Sequence, residues 1–372
     1  MKPRIAIVHD FLEGMGGAER VTLALSKIFP DAPIYTLTYN AKVAEFFDPA
    51  RVHTSYLQNW RWIPSRFFLP LYPRAIESFD FSEFDVVISS SHSFAKNIIT
   101  KPSTTHISYV HSPMRYVWDT THTHLASQSH RTPIGSGGGL VSLIATRILS
   151  NLRLWDKLGA DRVDIFVANS QNVARRIMKY YKRESQVIYP PVDVDSITPA
   201  AAHQNYFLVI SRLSSYKRID LAIEVCQNLG LPLVVIGEGG EMENLKKVAA
   251  STTKLLGWVS DVDKFKYLSN ARALIFPGEE DLGIVPIEAM AAGKPVIAYG
   301  KGGLLETVVE GQTGIFFPEQ TVESLTAAMN KFMAHESQFN WQTISDHAHQ
   351  FNAQTFVDKI IDLVNRSSHG NI

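Results

Sequence analysis

The chain has 372 residues, 36 basic and 36 acidic side chains, 45% hydrophobic residues and one cysteine. One core rarely grows past about 250–300 residues, so this length predicts two domains, and the apolar content suffices to fill two ordinary cores. A lone cysteine excludes an internal disulfide framework, and neither the balanced charge nor any motif supports nucleic-acid binding.

The charge is unevenly spread, with 22 basic against 17 acidic residues up to Asp195 and 14 against 19 beyond it. A basic first half suits an anionic partner such as a phospholipid surface or a lipid pyrophosphate, or is incidental surface charge. The apolar run Ile5-Ala-Ile-Val8 is too short for a signal peptide, and no window approaches about 18 apolar residues. A cytoplasmic protein without a membrane span is expected.

Residues 4–10 read as a buried parallel strand, followed by the glycine loop Gly14-Met-Gly-Gly-Ala-Glu-Arg20 and a helix over 21–29. This is a Rossmann-like start, although the glycine spacing is not the dinucleotide fingerprint. His9 and Asp10 stand at the strand's carboxyl end, where they either touch an acceptor or anchor a loop. Residues 56–74 mix aromatics and arginines with prolines that forbid a long helix, which fits a water–lipid boundary or a packed segment over the sheet. Two further central strands are expected over 84–91 and 106–111. His111 then emerges at a carboxyl end, the side on which open α/β sheets bind ligands. Arg115 and Tyr116, just beyond, either hold an acceptor phosphate or brace the loop. Gly135-Ser-Gly-Gly-Gly139 lacks the ending of a nucleotide P-loop and reads as a hinge before an amphipathic helix over 140–158. A strand over 164–170, a basic helix over 171–181 and Tyr189-Pro-Pro-Val-Asp193 complete a first domain of residues 1–195. The second domain spans 196–354.

In that second domain, strands are expected over 206–210, 233–237, 254–257, 273–276 and 295–298. Arg212 and Lys217 follow the first and can reach an anion at the strand ends. After 273–276 comes Pro277-Gly-Glu-Glu-Asp-Leu-Gly-Ile-Val-Pro-Ile-Glu288, where Pro286 pre-sets φ for the first turn of a helix. Leu282, Gly283, Ile284 and Val285 would bring backbone amides and the positive helix end to a pyrophosphate. Glu280 precedes the helix and Glu288 falls near its third residue. A carboxylate repels phosphate, so Glu288 belongs sideways on ribose hydroxyls; otherwise both acids simply favour the helix dipole. Two Asp-X-Asp triplets, Asp193-Val-Asp195 and Asp261-Val-Asp263, are rejected as metal sites. The first opens the interdomain linker, the second caps a helix, and Arg212 with Lys217 already supplies the charge a metal would bring. No metal or cofactor is expected, and His347 and His349 lack a ligand set.

Glu280-Asp-Leu-Gly-Ile-Val-Pro-Ile-Glu288 resembles the paired-glutamate motif of the retaining glycosyltransferases of family 4. The likeness continues in Gly302-Gly303-Leu-Leu-Glu306, in Ser211-Arg212-Leu-Ser-Ser-Tyr-Lys217 and over nearly the whole chain. It implies the α/β GT-B fold, with two facing Rossmann-like domains, an interdomain cleft and a C-terminal helix within 355–372 that packs back on the first domain. It also implies that Gly16 and Gly17 flank the donor pyrophosphate and the acceptor, and that His111 meets the donor sugar. Glu280 would orient that sugar, and the Gly257-Trp-Val259 turn would hold the base through backbone groups. The segments 111–119 and 189–193 look most like bacterial mannosyltransferases that build O-antigen and exopolysaccharide repeat units. The implied donor is GDP-mannose and the implied acceptor a lipid-linked glycan at the inner face of the cytoplasmic membrane, reached by peripheral contact. The alternatives are a UDP-sugar-dependent transferase of the same family, a sugar-nucleotide epimerase, and a non-catalytic sugar-nucleotide sensor or scaffold.

Overall fold

Short apolar runs bounded by polar turns fold here into two wholly parallel sheets. The computed structural model describes residues 3–60, 68–119 and 140–368. The chain divides into two units, Met1–Tyr189 with Val357–Ile372, and Pro190–Phe356.

In the first unit the strands are β1 (Ile5–His9), β2 (Ile34–Thr36), β3 (Val52–Thr54), β4 (Val86–Ser91), β5 (Thr105–Val110), β6 (Ile165–Ala168) and β7 (Gln186–Val187), in the order β3-β2-β1-β4-β5-β6-β7. Sequence patterning anticipates the central strands, which are buried on both faces and so read as continuous apolar runs. It does not reveal β2, β3 and β7, because two or three residues of mixed polarity carry no period. The strand order reverses between β1 and β4, where His9 lies opposite Ser90. The second unit repeats the plan with β8 (Phe207–Ile210), β9 (Leu233–Ile236), β10 (Thr253–Gly257), β11 (Ala273–Phe276), β12 (Val296–Tyr299) and β13 (Gly314–Phe317), ordered β10-β9-β8-β11-β12-β13. Its reversal falls between β8 and β11. A crevice at the carboxyl ends of strands flanking such a reversal is where doubly wound sheets bind ligands.

Gly135–Gly139 and residues 61–67 of the aromatic stretch lie outside the described residues. Around the latter, Tyr56 and Trp60 are exposed while Leu57, Phe68 and Tyr72 are buried. Among the described residues, no helix is long and apolar enough to cross a membrane. Cys226 is buried, and burial pushes its thiol up to about 12, as befits a core residue.

Asp10 is fully buried, and its carboxylate accepts the backbone N–H groups of His92 (2.6 Å), Ser93 (3.0 Å), Phe94 and Ala95 (2.7 Å). Of the two readings open for Asp10, the structure takes the loop anchor, because both oxygens are committed to backbone donors away from solvent. The anchored loop runs directly into Lys96, which pairs with Asp156 of the helix Leu140–Ala160. Asp156 also accepts Trp118 Nε1 (2.7 Å) and the Tyr181 hydroxyl (2.8 Å). Burying such charges is tolerable only because each has a partner, and removing one partner of a buried pair costs about 3–5 kcal/mol.

Two acid-stability predictions follow from these buried groups. Burial opposes ionisation of Asp10, but His92, His9 and the N–H donors outweigh it and hold the carboxyl below its usual value. Its contribution is therefore present above about pH 4 and lost as pH falls below that. Asp10→Asn, which turns an amide toward N–H donors, should lower stability by about 3 kcal/mol in denaturant unfolding. His106 is fully buried, with Nε2 2.8 Å from Ser89 Oγ. Burial, then Lys96 and Arg162, push it down to about 3. The folded chain refuses a proton that the unfolded chain accepts near pH 6.5, so stability falls between about pH 6.5 and 3. His106→Asn should flatten that slope by on the order of 1 kcal/mol per pH unit; an unchanged slope would show that His106 does not carry it.

Candidate active site

The site in the second unit is built by two strand ends and the turns locked onto them. After β8 the chain runs through Ser211 and Arg212 to the turn Ser215–Lys217. Gly237 holds this passage in place: its φ is +136°, and a Cβ there would lie 1.9 Å from the Ser211 carbonyl oxygen. After β11, Glu280 pairs its backbone with Gly302, and Gly303 N–H donates to the Glu280 carbonyl at 2.8 Å. Gly302 has φ +66°, and a Cβ would approach the Glu280 carbonyl oxygen to 2.3 Å. Only glycine permits that approach, which explains why Gly302-Gly303 accompanies the paired glutamates.

Lys217 is buried, and its ammonium forms an ion pair with the partly buried Glu280. Arg212 stands exposed at the same strand end. The next residue, Arg218, adopts a left-handed φ of 51°, uncommon for a side chain with a Cβ, and its guanidinium is held by Asp220 and the Gln320 carbonyl. Two predicted groups thus meet directly, Lys217 and Glu280, at the β8/β11 reversal.

The helix expected after the acidic loop is Ile284–Ala291, with Gly283 at its N-cap at φ 89° and no side-chain cap. Leu282 is buried, whereas Gly283, Ile284 and Val285 are partly exposed. The helix starts at Ile284, which makes Glu288 its fifth residue rather than its third. Pro286 still lies in the first turn, and the left-handed Gly283 sets the start. Glu288 is buried and bonded to Lys264 Nζ at 2.8 Å. Val259 is partly buried in the turn after β10, beside Trp258, which is 74% exposed. Three of the four Asp-X-Asp carboxylates have protein partners: Asp195 pairs with His349, Asp261 with Lys264, and Asp263 with Ser260. The cap of the helix Asp261–Asn270 is Ser260, with both aspartates in the first turn, which corrects the expectation that the triplet itself caps.

In the first unit, the ends of β1, β4 and β5 assemble a polar chain. His9 is buried, with Nδ1 2.9 Å from the Ser90 carbonyl and 3.0 Å from Thr22 Oγ1. A carbonyl only accepts, so Nδ1 carries the hydrogen and Nε2 faces Glu19 Oε1 at 3.6 Å. Burial disfavours the imidazolium, but Glu19 and Asp10 outweigh it and raise the His9 pKa. Thr22 Oγ1 lies 3.0 Å from Ser90 Oγ, which in turn lies 2.8 Å from His111 Nε2. Burial, then the neighbouring His9 and His92, push His111 down to about 3, so it is a neutral imidazole at physiological pH. Gly16 and Gly17 are exposed, and the helix begins at Gly17 (Gly17–Ile28), earlier than the apolar pattern suggests, because Ala18, Glu19 and Arg20 continue it.

Tyr116 packs against the core, with its hydroxyl pushed well up by burial and by Asp10 and Asp156. Of the two roles open for it, bracing the loop is the one its position fits. Arg115 remains partly exposed in the short helix Arg115–Trp118. That helix is clamped from Gln171–Tyr181, where Arg176 and Tyr180 hold Asp119 and Tyr180 stacks on Trp118 at 4.9 Å. Sequence reasoning missed Glu19, Thr22, Ser90 and Lys264. Their one visible signal was an acid in a first helical turn after glycines; the other three act through partners distant in sequence.

Comparisons with known proteins agree with this fold. Residues 15–196 match the model of Glycosyltransferase Family 4, and residues 195–355 match that of Glycosyl transferases group 1. Glycogen synthase of Mycobacterium tuberculosis is 26% identical over 251 residues, 59% of this chain and 61% of that one. D-rhamnosyltransferase WbpZ of Pseudomonas aeruginosa is 26% identical over 196 residues, 47% and 51% of the two chains. Alpha-1,3/1,6-mannosyltransferase ALG2 of Dictyostelium discoideum is 28% identical over 222 residues, 47% and 53%. The chain thus spans a little over half the length of these relatives. Anabaena Alr3699/HepE, solved in complex with UDP-glucose, shares the fold with a TM-score of 0.70 at 18% identity, covering 97% of this chain and 99% of that one. With consecutive models matching residues 15–355, two parallel Rossmann-like units and GT-B neighbours, the chain belongs to the family 4, group 1 glycosyl transferases.

Proposed function

We propose that the protein is a retaining glycosyltransferase that moves a sugar, mannose from GDP-mannose, onto a lipid-linked glycan in bacterial surface polysaccharide synthesis. The observation that carries the reading is the meeting of Lys217 and Glu280 at the β8/β11 reversal, beside the amino end of the helix Ile284–Ala291. A cation, backbone amides and a carboxylate at one strand end suit a diphosphate joined to a sugar. As the pyrophosphate departs, Lys217, Arg212 and the amides of Gly283, Ile284 and Val285 stabilise its growing charge, each well-aimed donor contributing about 3 kcal/mol. Glu280, released from Lys217 by the phosphate, orients the sugar and stabilises positive charge at the anomeric carbon. His111, a neutral imidazole, serves as a hydrogen-bond partner of the sugar rather than as a cation.

Mannose and guanine rest on the sequence resemblance, and the mannosyltransferase among the relatives supports the sugar. A UDP-sugar donor is the second reading, favoured by the UDP-glucose bound in the Anabaena neighbour. The basic first half supports peripheral contact with the inner face of the membrane.

The reading makes a divided prediction. Glu280→Gln and His111→Ala should each lower kcat by roughly 10²-fold or more with donor affinity little changed. Glu288→Gln should chiefly weaken nucleotide binding, because a ribose contact exists in ground and transition states alike. Calorimetry with donor and single-turnover transfer measure the two effects. Near-normal turnover in both Glu280 and His111 variants would favour a sugar-nucleotide sensor instead. Because side-chain cations face the pyrophosphate, EDTA should leave the rate unchanged; turnover lost in EDTA and restored by magnesium or manganese would overturn metal independence.

A further inference from the structure

Glu288 is the one charged residue of the helix Ile284–Ala291, whose sequence is Ile-Val-Pro-Ile-Glu-Ala-Met-Ala and whose residues from Pro286 onward are all buried. A carboxylate in that place loses its hydration, and a buried ion pair seldom stabilises a fold more than an apolar pair of the same volume. Stability therefore does not explain the charge. Its partner comes from the neighbouring helix Asp261–Asn270, where Lys264 Nζ lies 2.8 Å from Glu288 Oε1 and 3.0 Å from Asp261 Oδ1. The ammonium also sits 4.5 Å from the centroid of the Phe265 ring. Side chains of Lys264 and Glu288 are only 12% and 8% exposed. The helix that carries Lys264 is capped by Ser260, one residue after the Val259 turn, so the same short segment that forms the turn also fixes the lysine.

We infer that Lys264 is a positioning residue of the nucleotide site: by binding Oε1 it orients the Glu288 carboxylate, and supplies its countercharge, for recognition of the ribose cis-diol. This rests on the nucleotide-sugar reading above. An ionised carboxylate accepts hydrogen bonds and donates none, which matches two hydroxyl donors. A lysine ammonium donates three and accepts none, so it holds the carboxylate without competing for the hydroxyl hydrogens. Asp261 and Phe265 fix the ammonium in turn, and the orientation of Glu288 is thereby set from outside its own helix.

The test is the ratio of affinities for a nucleoside diphosphate and its 2′,3′-dideoxy counterpart, measured by calorimetry with the guanosine and uridine pairs on the full chain. The unaltered protein should prefer one ribonucleotide over its dideoxy form by about 10-fold or more. Lys264→Met keeps the apolar stem and should shrink that preference to about twofold, whereas Lys264→Arg should retain most of it. Lys264→Gln carries the same test should the methionine variant not fold. If the methionine variant binds both ligands more weakly but keeps the full ratio, Lys264 acts only in packing and the inference is overturned. If the unaltered protein shows no ribose preference with either base, Glu288 does not read the ribose, and the underlying site reading fails first.

Discussion

The first unit depends on one buried carboxylate. Asp10 leaves the end of β1 and gathers four consecutive backbone N–H groups beyond β4, which fixes the direction in which the chain departs from the strand-order reversal. That departure delivers Lys96 into the interior to meet Asp156, and Asp156 draws in Trp118 and Tyr181. Three segments that carry the polar chain around His111 are thus tied through two buried acids. Apolar packing alone would not select this arrangement, because it lacks the direction that hydrogen bonds to a charge impose.

A second regularity recurs in both units: several charged groups of the candidate sites are matched within their own unit. Lys217 pairs with Glu280, Lys264 with Glu288, and His9 faces Glu19. Partly desolvated charges are costly without a counterion, so a site shaped for an anionic substrate supplies its own. The two pairs of the second unit differ in setting: Lys217–Glu280 lies at the β8/β11 reversal, while Lys264–Glu288 joins two helices.

Fold and family leave the substrate open. The relatives include enzymes named for glycogen, rhamnose and mannose, and one fold hosts many substrates.

By itself the sequence determined the fold class, the central strands and the position of the glutamate pair, because parallel strands buried on both faces leave continuous apolar runs and a glycine–proline turn leaves a local spacing. Strands as short as β3 and β7 left no such trace. Roles set by contact were legible only as alternatives: His9 and Asp10 share one strand end, yet four amides claim Asp10 while His9 faces Glu19. Tyr116 turned inward to brace its loop, and Glu288 fell two positions deeper into its helix and met a lysine from another. These outcomes belong to the tertiary structure, since a hydrogen bond or ion pair is decided by which groups packing brings within about 3 Å, and that distance is unrelated to separation along the chain.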